Sequence, residues 1–199
     1  MDFYEVVQKR SVIRSFKPDP IPEDVVRRIL EAGMHAPSGE HRQPWEFILI
    51  KNSELRKELT RLKFESRKRM ARALFPDFSE ERILELANLQ KVALETAPVL
   101  VAVCYRNFDN PSEIGKMGIS TSHAHTWQCI QNMWLAATAE GLGFSPTFYA
   151  DDVYDQAKKL LGIPQGVELA AIVRIGKKNQ KLKRKPIKSL EEKLHYDHF

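Results

Sequence analysis

Three groups of residues have types and spacings suited to binding chemistry. The first is Arg10-Ser11-Val12-Ile13-Arg14. Two arginines four apart share a face if a helix runs through them, and in a turn they can converge on one anion. The planar guanidinium fork matches phosphate or carboxylate oxygens better than a lysine ammonium does. The second group is Ala36-Pro37-Ser38-Gly39-Glu40-His41-Arg42-Gln43-Pro44-Trp45. Its small residues let a ligand approach the backbone, whose N–H and C=O groups can read a ring edge. Ser38, His41 and Gln43 add side-chain donors and acceptors. The third group is Leu182-Lys183-Arg184-Lys185-Pro186. Each group also has a plainer reading: exposed arginines at a helix end, an ordinary helix-to-strand turn, and a solvated tail.

The third group sits inside a charge asymmetry. The 199-residue chain has a formal net charge of +5. Seven cations and no anion lie between Lys177 and Lys188, and residues 189–199 sum to -2, so residues 1–176 balance to zero. Such a run is a flexible solvated tail, a nucleic-acid patch, or a clamp on one phosphorylated small molecule. The preceding strand, Glu168 to Ile175, carries no aromatic residue to stack bases, which argues against nucleic acid.

Other chemistries find little support. The two cysteines, Cys104 and Cys129, lie in no Cys-x-x-Cys pair, so neither a disulfide framework nor a zinc site is expected. His123 and His125 are two apart and point different ways on a helix, a poor metal pair. No Ser/His/Asp or Cys/His nucleophile system is evident. At 43% hydrophobic residues the chain can bury one good core, which excludes a disordered or fibrous protein.

These groups need elements to position them. A short helix is expected from Asp2 to Lys9, and a second opens at Pro22-Glu23-Asp24 and ends at Pro37. Trp45 to Lys51 reads as a strand, its apolar run Phe47 to Ile50 suggesting burial on both faces. Charge-rich helices follow over Ser53–Phe75 and Ser79–Thr96, then a core strand from Val99 to Tyr105. Residues 117–139 lack Asp, Glu, Lys and Arg over 23 positions, long enough to cross a bilayer. Its many hydrogen-bonding side chains, among them Ser120, His123, Gln128 and Asn132, make a buried or interfacial helix the better reading. Gly141-Leu142-Gly143 closes it. A short segment, Phe144 to Tyr149, leads to a helix over Asp151–Leu161 and a third strand over Glu168–Ile175. The class expected is α+β, in one domain spanning residues 1–199. The N-terminus has no unbroken apolar stretch of the signal-peptide kind, so a cytoplasmic protein with no membrane partner is expected.

Taken in order, the motifs resemble the FMN-dependent nitroreductase superfamily over essentially the whole chain. The order is Arg10-x3-Arg14, Ala36 to Trp45 before a strand, Gly141-Leu142-Gly143 after a long uncharged helix, and Lys183 to Pro186 near the end. Ala36 to Gly39, His41, Pro44-Trp45 and Leu182 to Pro186 look most like the iodotyrosine deiodinase branch. The resemblance implies a mostly antiparallel central sheet flanked by helices, in an intertwined homodimer with FMN at its interface. Arg10, Ser11, Val12 and Arg14 would contact the FMN phosphate and ribityl chain or the flavin edge. Arg184 would complete that clamp, and Pro37, Ser38, Gly39 and His41 would line the ring from the partner subunit. Pro146, Thr147 and Phe148 fall where relatives approach the flavin N5 and O4 edge, Thr147 being the candidate catalytic donor.

The same resemblance implies a ping-pong cycle in which NADH or NADPH reduces the flavin and an electron-poor small molecule, such as a nitroaromatic or quinone, reoxidises it. Helices over about 53–96 would form a lid that selects this acceptor, with a basic extension over about 177–199. A specialised flavin chemistry such as dehalogenation, or flavin binding without NAD(P)H turnover, is the alternative. The chain departs from the superfamily where Ser11 and Val12 replace the usual Arg and Ser. It departs from the deiodinase branch in residues 62–75, which hold Glu65 but no Tyr.

Overall fold

The computed structural model describes residues 1–108, 120–149, 152–180 and 186–199. Four strands form one antiparallel sheet: β1 (Trp45–Leu49), β2 (Val99–Arg106), β3 (Gly143–Thr147) and β4 (Val167–Gly176), in the order β1-β2-β4-β3. Six α-helices are described: α1 (Phe3–Lys9), α2 (Glu23–Met34), α3 (Ser53–Leu74), α4 (Glu80–Thr96), α5 (Thr121–Ala139) and α6 (Asp152–Leu160). The α+β expectation with a mostly antiparallel sheet holds.

Alternation along the strands divides the core into two. Val101, Val103, Val173 and Ile175 face Val26 and Ile29 of α2 and Cys129, Ile130, Met133 and Ala137 of α5. Leu100, Ala102, Cys104 and Ile172 face Leu59 and Leu62 of α3, Leu94 of α4, and Val153 and Ala157 of α6. The sheet is thus sandwiched between two helical layers, and β2 and β4, covered on both faces, read as continuous apolar runs.

Two expectations need correction. Phe47, Ile48 and Leu49 are half-buried, because β1 is an edge strand rather than an interior one. The stretch after Gly141-Leu142 is a fourth strand, concealed in the sequence by Pro146. An edge strand tolerates proline because its outward N–H has no ladder partner to lose.

The uncharged helix is α5, packed against α2 and the sheet, with residues 117–119 outside the described residues. Among the described residues, no helix is long and apolar enough to cross a membrane. Gly141 ends α5 at φ +75°, and Leu142 N donates to Ala137 O at 2.8 Å, the closure of a helix that stops at glycine. Gly143 has a different reason to be glycine. A Cβ there would lie 2.8–2.9 Å from three side-chain carbons of Ile13, so only glycine lets the N-terminal segment lie against β3.

Candidate functional site

The segment that holds Arg10 and Arg14 is extended. Helix α1 stops at Lys9, and Arg10 leaves it at ψ 127°, so the two arginines do not share a helical face. Val12 forms a parallel bridge with Phe144, and Ile13 N donates to Phe144 O at 3.1 Å. Arg14 and Ser15 each donate a backbone N–H to Gln180 Oε1, at 2.9 and 3.0 Å. Lys17 and Asn179 add backbone bonds to Lys177 and Ser15, so the start of the basic run is laid along this segment. Arg10 stacks its guanidinium 4.7 Å from the Trp134 ring centre, and Trp134 Nε1 donates to Ser11 O at 3.3 Å. Among the described residues, neither Arg10 nor Arg14 has a carboxylate partner.

The loop after α2 is held in an unusual backbone shape. Glu40, His41 and Gln43 have φ of 52°, 56° and 45°, a left-handed conformation that non-glycine residues adopt at a cost. Local bonds secure it. Ser38 Oγ accepts from Gln43 N at 2.9 Å, and the Gln43 amide meets His41 Nε2 at 2.7 Å. These side chains are therefore spent on one another, and what the loop offers outward is backbone and Gly39. Gly39 N points at His125 Nε2 across 3.4 Å, with the loop and α5 bounding a cavity of about 200 Å³. His125 and Trp134 are nine positions apart on α5, a separation of roughly 14 Å along the axis. One protomer therefore places the loop and the arginine segment at different ends of that helix.

The third feature is the end of β3. Thr147 is buried, and its hydroxyl has no hydrogen-bond partner among the described residues; Pro146 is half-buried and Phe148 exposed. Behind them lie two buried cations that were not singled out in the sequence. Arg174 donates to Ser145 O, Pro146 O and Gln90 Oε1 at 3.4, 3.4 and 3.0 Å. Lys63 donates to Phe148 O at 2.6 Å. Burial, reinforced by the neighbouring Arg174 and Arg67, pulls the Lys63 ammonium down to about 8. Burial, followed by the charge of Arg14, pulls Arg174 down to about 10.

Of the residues expected to bind, Arg10, Ser11, Val12 and Arg14 line up beside β3, which carries Pro146 and Thr147, with Phe148 next along. Pro37, Ser38, Gly39 and His41 form a separate group, and Arg184 lies outside the described residues. Both overlooked cations had a sequence signal. Lys63 occupies the buried stripe of α3 set by Leu59, Leu62 and Ser66, and Arg174 interrupts the apolar run of β4. Gln180, a polar residue in a basic run, had none. Among the described residues, no cluster suited to a metal ion is found. Burial pushes the Cys104 thiol up to about 12, leaving it inert at neutral pH.

Relatives share this framework. Rat iodotyrosine deiodinase 1 is 32% identical over 107 residues, 51% of this chain but only 36% of the rat protein, so the match takes in about a third of that relative. The 5,6-dimethylbenzimidazole synthase of Rhodospirillum rubrum is 34% identical over 138 residues, 68% of this chain and 64% of that protein. A crystal structure of oxidized iodotyrosine deiodinase bound to FMN and 3-iodo-L-tyrosine superposes over 100% of both chains with a TM-score of 0.79 at 23% identity, a likeness of fold. Residues 6–177 match the model of the Nitroreductase family, and the chain belongs to that family.

Proposed function

We propose that this chain is an FMN-dependent oxidoreductase acting as a homodimer. The observation that carries this reading is that Arg10 and Arg14, without a carboxylate partner among the described residues, flank the parallel Val12–Phe144 bridge to the strand that ends at Thr147. Membership of a family with an FMN-bound structural neighbour supports the choice of ligand. Arg10 and Arg14 would hold the phosphate and ribityl chain, with Arg184 as a third cation. Pro37, Ser38, Gly39 and His41 would come from the second subunit. The distance between the two groups along α5 favours that assignment, as does apolar surface left open around the same helix. Phe3, Tyr4 and Val7 of α1, which packs against that helix, are exposed.

FMN, when bound, supplies two-electron chemistry between NADH or NADPH and an electron-poor acceptor, here a nitroaromatic, quinone or similar compound. The chain's own part is position and electrostatics. Thr147 offers a hydroxyl or backbone donor to the reacting edge, and the inner wall of Arg174 and Lys63 keeps that edge positively charged. A second reading, a specialised flavin enzyme, is favoured by the likeness to deiodinases and to a dimethylbenzimidazole synthase. Anaerobic stopped-flow spectroscopy separates the two. Bleaching of bound FMN by NADH or NADPH, and its recovery on adding a quinone or nitroaromatic, supports the oxidoreductase. Bound FMN that neither nucleotide reduces supports the specialised enzyme.

A further inference from the structure

Among the described residues, Lys63 and Arg174 are the only fully buried charged side chains, with relative exposures of 5% and 1%. Neither has an anionic partner. Elsewhere this protein pairs its cations freely: Arg28 with Asp24 and Glu140, Arg72 with Glu80, Arg106 with Glu46 and Lys158 with Glu168. Around the buried pair the charged neighbours are cations. Arg67 lies one turn beyond Lys63 on α3, where its guanidinium donates a weak bond to Met70 Sδ. Arg14 approaches Arg174 from the N-terminal segment. A buried charge with no counter-charge is costly, and folds keep one where something else supplies the opposite sign.

A second observation points to the same place. Ser145 Oγ and Thr60 Oγ1 are buried with no hydrogen-bond partner among the described residues. Ser145 is the cross-strand partner of Arg174, so the two side chains share a sheet face. Thr60 lies three residues before Lys63 on α3, on the same side of the helix. Lys63 and Arg174 also hold donors in reserve, since their bonds to Phe148 O, Ser145 O, Pro146 O and Gln90 Oε1 use only part of their eight N–H groups.

We propose that Lys63, Arg67 and Arg174, with the Ser145 and Thr60 hydroxyls, form an anion-binding site that takes the carboxylate or phosphate group of the acceptor substrate. Lys63 and Arg174 bond the backbone carbonyls on either side of Thr147, so an anion held there has its remaining atoms beside the proposed reacting edge. Arg67, half-exposed, stands at the rim. The proposal rests on the functional reading above, and it narrows the acceptor to electron-poor compounds carrying one oxyanion.

The test uses the FMN-loaded full chain and equilibrium titration, read by flavin absorbance and by calorimetry. The probes are para-nitrobenzoate, para-nitrophenyl phosphate and neutral para-nitrobenzamide. At least one anionic probe should bind about tenfold more tightly than the neutral one, as a charge-assisted contact requires. The tighter of the two names the oxyanion. Lys63→Met should abolish the preference and Lys63→Arg keep it. Should Lys63→Met fail to fold, Arg67→Met should reduce the preference several-fold while Arg67→Lys preserves it. Equal affinity for charged and neutral probes on FMN-loaded protein overturns the anion site alone. A preference that survives Arg67→Met and Lys63→Met also overturns it. A protein that takes up no FMN overturns this site together with the reading it rests on.

Discussion

Lys63 on α3 donates a 2.6 Å hydrogen bond to the carbonyl of Phe148, 85 positions further along the chain. That bond ties the helical layer to the residue beside Thr147, and the cation making it is buried. The charged groups facing Lys63 are Arg174 from β4 and Arg67 from its own helix, with Arg14 beyond Arg174.

A pH dependence of stability follows. Burial and these neighbours lower the Lys63 ammonium to about 8 in the folded protein, from an ordinary 10.5. The unfolded chain therefore binds more protons between those values, and stability rises as pH increases through them. Below about 8 the cost of the buried charge is fully present. The gain across the window is bounded at about 3 kcal/mol. Urea denaturation of the protein without FMN, at about pH 7 and about pH 10, should show a stability change more favourable in the parent than in Lys63→Met, the opposing effect of the buried Cys104 and Cys129 thiols being common to both. Identical slopes in both proteins would show that the Lys63 charge does not set this pH dependence.

Gly143→Ala tests the contact between the arginine segment and the sheet. The added Cβ meets Ile13 at 2.8–2.9 Å, and a β-branched side chain has little freedom to move aside. A loss of roughly 1–3 kcal/mol is expected. Because Ile13 lies between Arg10 and Arg14, FMN affinity should fall with it. Calorimetric melting and FMN titration read the two effects separately.

Gln180→Ala removes the acceptor of the Arg14 and Ser15 backbone N–H groups. Both groups are near the surface, so water replaces the lost bonds and the fold survives. The order of the segment does not. FMN should bind roughly tenfold more weakly, as expected for two lost bonds of modest net worth. Unchanged affinity in a fluorescence-quenching titration would show that Gln180 does not position the arginines.

Thr147→Ala addresses the proposed donor. If the hydroxyl serves the reacting edge, the rate of flavin reduction should fall by about a hundredfold, and the potential of bound FMN should drop. A variant with unchanged rate and potential leaves only the backbone N–H for that role.

Much of this architecture was legible in the chain. Helix α2 announced itself by Pro22 and the acids after it, and β2 and β4 by apolar runs that both covered faces require. Strand β3 was harder to read, because Pro146 argues against a strand unless its place at the sheet edge is known. In β1 the opposite happened: an apolar run that suggests an interior strand belongs to an edge whose outer side is only partly covered. The arginine segment and the small-residue loop were visible as motifs, since their chemistry lies in residue type. Their backbone shapes were not. The positive φ of Glu40, His41 and Gln43 depends on bonds between side chains that no short-range pattern encodes. Lys63 and Arg174 carried a signal, each being a charge on an apolar stripe. Their partnership required knowing that α3 crosses the end of β3.

Whether this protein holds FMN is read from its visible absorption spectrum after purification, before and after incubation with FMN and removal of the excess. Flavin bands in the blue should stay with the protein fraction and weaken when Arg10 and Arg14 are both replaced by Ala. A colourless protein that retains no FMN after incubation would contradict FMN binding.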